Sequence, residues 1–161
     1  LQGKGLSLLE LLVVVALVGI LATVLLWRTS DARGAAITQA TYDLRALIQR
    51  GRLEAIARNR QTLLTFSTGA DTVSLCVEAS PPNGSCDATD TVLATWRAAQ
   101  YGQGLNLQSA SFGTTNNLLW TPAGLPSGLG GTPGALISNG TLNRRLCLSL
   151  AGQVSIRQGS C

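Results

Sequence analysis

The chain has 161 residues, with 12 basic and 8 acidic side chains giving a net charge of +4, and it contains neither His nor Met. That length calls for no more than one globular domain. The lack of His removes the commonest general base and metal ligand, and the mild basic excess suits an anionic partner without specifying one.

The first element is apolar. From Leu11 to Trp27 there are 17 consecutive uncharged residues, near the lower limit of about 17–25 for crossing a bilayer. Three readings compete for it. A secretory signal has an apolar run of about 7–15 residues and then a small-residue cleavage site; here the run is longer and Trp27-Arg28 follows it. A plain membrane anchor leaves Glu10 without a reason, because a carboxylate in an apolar span costs roughly 2.5–3.5 kcal/mol at mid-membrane. The third reading rests on Lys4-Gly5-Leu6-Ser7-Leu8-Leu9-Glu10-Leu11-Leu12 and the Val, Ala, Leu, Gly and Ile residues that continue it to Ala22. This stretch resembles the N-terminus of the type IV pilins and type II secretion pseudopilins.

The resemblance implies that a prepilin peptidase cuts after Gly5 and that Leu6 becomes the methylated N-terminal residue. It also implies that Glu10 pairs with the N-terminal amine of a neighbouring subunit in a filament. A buried Glu needs such a partner; the bland alternative is a carboxylate that snorkels to the membrane interface. The implied partners are other pilins or pseudopilins, the peptidase, an inner-membrane assembly platform and the membrane itself. The subunit would cross the inner membrane once before assembly, with its globular part periplasmic or extracellular, and no cofactor is implied. Leu6 stands where the family usually has Phe. Leu1 stands where a start Met is expected, so the chain is expected to lack its true start or to begin at a non-standard codon. Gly19 and Ala22 permit close helix approach, and equally they are ordinary small residues of a membrane helix.

Helical periodicity continues beyond the apolar run. Ile37, Ala40, Leu44, Leu47, Ile48, Gly51, Ala55 and Ile56 recur three or four apart and define one apolar face. No Pro precedes Pro81. The expectation is one helix of about 54 residues, roughly 80 Å long if unbroken, with a kink or local melt allowed at Gly34. Arg45, Arg50, Arg52, Arg58 and Arg60 read as its solvated face.

The remainder reads as strands. Thr62–Phe66 and Thr72–Val77 are β-rich and separated by the turn-like Ser67-Thr68-Gly69-Ala70-Asp71. Val92–Arg97, Leu105–Leu107 and Leu118–Trp120 are further candidates. Thr121–Gly134 holds three Pro and five Gly and reads as loop. Arg144–Ser149 and Gln153–Arg157 form a last hairpin across Ala151-Gly152. A long helix followed by strands gives an α+β fold, with the helix in the concave face of one antiparallel sheet. The expected organisation is leader 1–5, anchor and filament core 6–27, second half of the helix 28–60, and a β-sheet domain 61–161.

Cys76, Cys86, Cys147 and Cys161 are an even set in a chain that enters a membrane, which suits disulfides in an oxidising compartment. The local pairings, Cys76–Cys86 around Pro81-Pro82-Asn83-Gly84 and Cys147–Cys161 at the last hairpin, are preferred among three possible connectivities. A metal site is disfavoured by the long spacings and the absence of His.

A second resemblance lies in the C-terminal half, in Leu119-Trp120-Thr121-Pro122-Ala123-Gly124, Asn143-Arg144-Arg145-Leu146-Cys147-Leu148-Ser149, Ala151-Gly152-Gln153-Val154 and Cys161. These are similar to the GspH/FimT minor pseudopilins and imply a pilin fold. Two roles follow from the resemblance: a secretion pseudopilus subunit, or a minor pilin of which some members bind double-stranded DNA in natural transformation. The DNA-binding members carry Gly-Arg-x-Arg, whereas Gly152 here is followed by Gln153, Val154 and Ser155. Arg144, Arg145 and Arg157 are the candidate substitutes, since phosphate contact needs charge more than geometry; equally, they keep a sheet edge soluble. A membrane-anchored enzyme is disfavoured. Asp71, Glu78, Asp87 and Asp90 lie in loop-like sequence without a phosphate loop or metal spacing. A surface adhesin would suit the Gly-, Asn- and Ser-rich loops.

Overall fold

A computed structural model describes residues 8–79, 83–102, 104–113 and 116–161, with residues 24–33 described by their backbone alone. The chain divides into two compact units, Leu1–Ala35 and Ala36–Cys161. Helix α1, Leu8–Arg58, belongs in part to each. It stays helical at Gly34, so the local melt allowed there by the sequence does not occur.

In the first unit the large apolar side chains from Leu8 to Leu21 are all exposed, Leu8 at 82% and Leu21 at 62%. They occur at nearly every position, so they cover the whole helix circumference. A helix apolar all round is one that other helices or lipid must cover. No helix among the described residues is long and apolar enough to cross a membrane. The anchor expected over 6–27 runs past the described side chains at both ends, and the cleavage-site residues Gly5 and Leu6 lie outside the described residues.

In the second unit the apolar face of α1 is the centre of the core. Ile37, Ala40, Leu44, Leu47, Ile48 and Ala55 are buried, whereas Ile56 at the edge of the face is half exposed. Gly51 brings the helix close to its neighbours: a Cβ there would stand 2.8 Å from Leu64 Cδ1 and 3.2 Å from Trp120 Cδ1. Side chains also tie strands to helix carbonyls. Thr62 Oγ1 donates to Gly51 O at 2.8 Å, and Trp96 Nε1 to Ala40 O at 3.1 Å. The helix ends at Asn59, whose φ of 50° is left-handed. Arg60 N then donates to Ala55 O and Asn59 N to Ile56 O, the paired bonds that satisfy the last carbonyls of a helix.

The described strands are β1 (Thr62–Ser67), β2 (Thr72–Val77), β3 (Thr91–Arg97), β4 (Asn106–Ser111), β5 (Asn117–Trp120), β6 (Pro126–Ser127), β7 (Gly134–Ser138), β8 (Asn143–Leu148) and β9 (Val154–Arg157). A 3-10 helix, Ala98–Tyr101, follows β3. The fold is α+β and every strand pair is antiparallel. The strands form two sheets rather than the one expected, in the orders β3-β2-β1-β5-β6 and β4-β7-β8-β9. Asp71 joins them, its carboxylate accepting from Leu107 N at 2.7 Å. The stretch expected to be loop, 121–134, contains β6 and the start of β7. β6 is an edge strand, where the missing N–H of Pro126 costs no ladder bond. β7 lies between β4 and β8 and is largely buried on both faces, so it lacks the alternation that marks a half-buried strand.

Cys76 is joined to Cys86, and Cys147 to Cys161, with Cα separations of 5.9 and 5.5 Å. The second bridge carries Cys161 over β7, where only Gly fits. A Cβ on Gly134 would lie 3.0 Å from Cys161 Sγ and would clash with the carbonyl oxygen of Leu146. Pro81 and Pro82 of the first bridged loop lie outside the described residues.

Candidate functional site

The three C-terminal arginines fall on the hairpin β8–β9. On β8, Leu146 and Leu148 turn into the core, so Arg144 has their parity while Arg145 and Cys147 face outward. Arg145 stands directly opposite Arg157 on β9. Two like charges in one cross-strand pair disfavour each other, and neither forms an ion pair among the described residues. Among the described residues the ion pairs are those of Glu54 with Arg50 and Arg58. The hairpin is thus an uncompensated basic surface at a sheet edge. Arg145 Nε is buried without a hydrogen-bond partner among the described residues.

Arg144 faces the other way, into a cleft of about 250 Å³ between the hairpin and α1. Thr41 and Tyr42 line its helix side, and Arg144, Ile156, Arg157 and Gln158 its hairpin side. Arg45 lies one turn beyond Thr41 and Tyr42, at the spacing that keeps residues on one helix face. Its Nε is buried without a hydrogen-bond partner among the described residues. The structure therefore divides the sequence candidates. Arg145 and Arg157 share the outer face, Arg144 and Arg157 share the cleft, and Tyr42 joins the cleft from α1, an element the sequence candidates did not include. The helical spacing of 38, 41/42 and 45 was present in the sequence, but which strand faces it depends on long-range pairing.

Of the other helix arginines, Arg50, Arg58 and Arg60 are exposed, as a solvated face requires, and Arg52 is half-buried. Arg50 and Arg58 flank Glu54, and the Arg58 hydrogen bond chiefly holds that carboxyl below its ordinary range. Arg52 lies over the Trp120 ring, 5.9 Å from its centroid. Arg60 donates to the carbonyl of Glu78.

The motifs behind the C-terminal resemblance are structural. Trp120 is fully buried. Gly124, at φ 72°, closes a turn by donating to Thr121 O, and a Cβ there would stand 2.5 Å from Ile56 Cδ1. Gly152, at φ 79°, closes the β8–β9 turn on Ser149 and sits against Trp120, 2.8 Å from a would-be Cβ to Cζ3. Both positions need the left-handed backbone that glycine adopts freely.

The acidic loop residues also serve structure. Asp90 accepts from Ala79 N and Asp87 N, and Asp87 from Thr89 and Asn83. Among the described residues no His, Cys, Asp and Glu group is arranged to hold a metal ion. Glu78 differs. It is 2% exposed and neither carboxylate oxygen has a hydrogen-bond partner among the described residues. Burial pushes its carboxyl above the ordinary range; the Gly84 amide, nearby but outside hydrogen-bond geometry, opposes this, and Asp90 and Asp87 reinforce it. A carboxyl whose folded pKa exceeds its unfolded value favours folding at low pH and loses that contribution as pH rises through the folded value. Glu78→Gln is therefore expected to melt about 2–4 °C above the parent at neutral pH, a gain on the order of 1 kcal/mol. The difference should vanish below about pH 4, where the carboxyl is protonated in both states. Circular dichroism melts across pH check this; a variant less stable at neutral pH would mean that the charged carboxylate is satisfied.

The comparisons with known proteins agree with this architecture. The family model described as type II transport protein GspH matches residues 40–152. A protein described as pilin-like protein PilA1, from Thermus thermophilus, is 31% identical over 160 residues, covering 95% of this chain and 97% of its own. Two crystal forms of the type IV minor pilin FimU of Pseudomonas aeruginosa share the fold at a TM-score of 0.54 and 23% identity. They cover 74% and 75% of this chain and 91% and 87% of their own.

Proposed function

The chain belongs to the family of the type II transport protein GspH, and we propose that it is made as a precursor, cut after Gly5, and assembled through its apolar helix into a membrane-anchored filament. As a minor pilin or pseudopilin, of a type IV pilus or a type II secretion system, it is a structural subunit and not an enzyme. The observation that carries the filament reading is the exposed apolar circumference of α1 from Leu8 to Leu21. The second unit has its own core, so these side chains are left for lipid or for other subunits to cover. A single pass through the inner membrane before assembly fits the same segment. The test is co-expression with a prepilin peptidase. The mature protein should begin at a methylated Leu6 and should appear in the sheared filament fraction. Protein that stays uncut in the presence of an active peptidase would remove the reading.

A second reading, contact with DNA during uptake, is favoured by the basic hairpin. Arg144, Arg145 and Arg157 lie on one hairpin, none in an ion pair among the described residues, and phosphate contact asks little more than positive charge. With three phosphate contacts, affinity for a duplex should fall about fortyfold between roughly 50 and 200 mM salt. An Arg144/Arg145/Arg157→Ala variant should lose both the binding and the salt slope. Fluorescence anisotropy of a labelled duplex with the full oxidised chain in detergent measures both. Absence of binding at low salt would leave the pseudopilus of a secretion system as the better reading.

A further inference from the structure

The cleft between α1 and the β8–β9 hairpin has a composition that simple phosphate contact does not require. Its charged groups are the guanidinium groups of Arg144 and Arg157, with Ile156 beside Arg157 on β9, and no acidic residue lines it. Across from them stands Tyr42, an aromatic side chain 56% exposed and so adding little to the core. Gln158 adds hydrogen-bonding groups, whereas the Thr41 hydroxyl is buried and donates to Ile37 O. The volume of about 250 Å³ lies just under the usual span of small-ligand sites and suits one nucleotide. A flat ring beside paired cations, with no anion, matches a ligand that is itself a flat ring flanked by negative charge. In a duplex the bases are stacked inside and cannot present a face to a cleft; in a single strand they can, and aromatic side chains take them by stacking.

We propose that this cleft takes one nucleotide of single-stranded DNA, the base against Tyr42 and Ile156 and the flanking phosphates on Arg144 and Arg157. The proposal rests on the DNA-contact reading of the same arginines and adds that the cleft distinguishes single strands from duplexes. Tyr42 supplies the distinction, because the phosphates are common to both forms.

The test compares a labelled oligothymidine of about 15 nucleotides, within the range of single-strand sites, with a duplex of equal length. Both are titrated against the full oxidised chain in detergent. The single strand is expected to bind about five- to a hundredfold more tightly than the duplex, the range one base–aromatic stack supports. Tyr42→Leu should remove that preference and leave duplex binding unchanged, and Tyr42→Phe should retain it. Tyr42 is a surface residue, and an unchanged circular dichroism melt verifies that both variants fold. Arg144→Gln should weaken both forms. Equal binding of strand and duplex, with Tyr42→Leu silent, would overturn the cleft proposal while leaving the DNA reading intact. Binding of neither form at low salt would overturn both. Displacement by heparin as effective as by oligothymidine, again insensitive to Tyr42, would assign the cleft to polyanions in general and also overturn it.

Discussion

Trp120→Ala is expected to cost the folded protein about 3–5 kcal/mol, the range for truncating a large buried aromatic. Trp120 is fully buried on β5. Two elements, α1 and the β8–β9 turn, close on its ring. The helix approaches at Gly51, where a Cβ would stand 3.2 Å from Cδ1, the β8–β9 turn approaches at Gly152, and Arg52 covers the ring. The helix cannot simply move in to refill the space, because Thr62 and Trp96 tie it to β1 and β3. The indole Nε1 has no hydrogen-bond partner among the described residues, so the loss is one of packing. For a chain of this size the melting temperature should fall by about 10–15 °C. Gly152→Ala should move it in the same direction by less, through its left-handed φ and the same ring. Thermal unfolding of the full chain in detergent, followed by near-ultraviolet circular dichroism, measures both. A fall of less than about 3 °C for Trp120→Ala would mean that these elements hold together without the ring.

Glu10→Leu is expected to leave cleavage after Gly5 intact and to lower recovery in the sheared filament fraction by at least about tenfold. Removing one partner of a buried ion pair costs roughly 3–5 kcal/mol, and about 1.4 kcal/mol is already a factor of ten. Glu10 is the one charged residue on α1 between Leu8 and Thr23. On the isolated helix it is exposed and needs no partner. Once neighbouring apolar helices cover that surface it does, and the amine freed by cleavage is the cation the pilin resemblance supplies. Glu10→Leu makes the helix more apolar, so a simple lipid anchor would be retained or improved. The two roles therefore separate in one experiment: membrane retention unchanged with filament recovery lost supports pairing between subunits. Recovery equal to the parent would make Glu10 an interfacial carboxylate with no part in assembly.

Local patterns made the helix and seven of the nine described strands legible, all but β6 and β7. The three-four spacing from Ile37 to Ala55 is a property of neighbouring residues, and those residues are buried as the spacing implies. Ile56 is half exposed because the face narrows near the helix end, where the loop at Gly124 covers only part of it. The hairpin β1–β2 announced itself through β-branched residues around Gly69. β7 did not, because Gly134-Ala135-Leu136-Ile137-Ser138 is short, covered on both faces and preceded by Pro and Gly. The division into two sheets was illegible for a related reason: it depends on pairings between strands not consecutive in the chain, such as Thr62 with Trp120 and Ser111 with Gly134. The candidate site was half legible. Basic residues without nearby acids can be counted in a sequence, whereas the meeting of Tyr42 with Arg144 is made by the packing of α1 on β8 and β9.

The order in which the chain visits its two sheets has a consequence for how the domain can come apart. β1, β2 and β3 build the first sheet, β4 crosses to the second, β5 and β6 return, and β7, β8 and β9 finish the second. Neither sheet is a contiguous piece of chain, so neither can detach and leave the other whole. Local opening normally proceeds through contiguous cooperative segments; here β1–β3 and β7–β9 are such segments, and releasing either strips a strand visited at another point in the chain, β5 or β4, of its partner. Amide protons in β1 and in β8 should therefore exchange through the same event at the same rate limit. Limited proteolysis of the folded chain should accordingly yield no stable fragment made of one sheet alone.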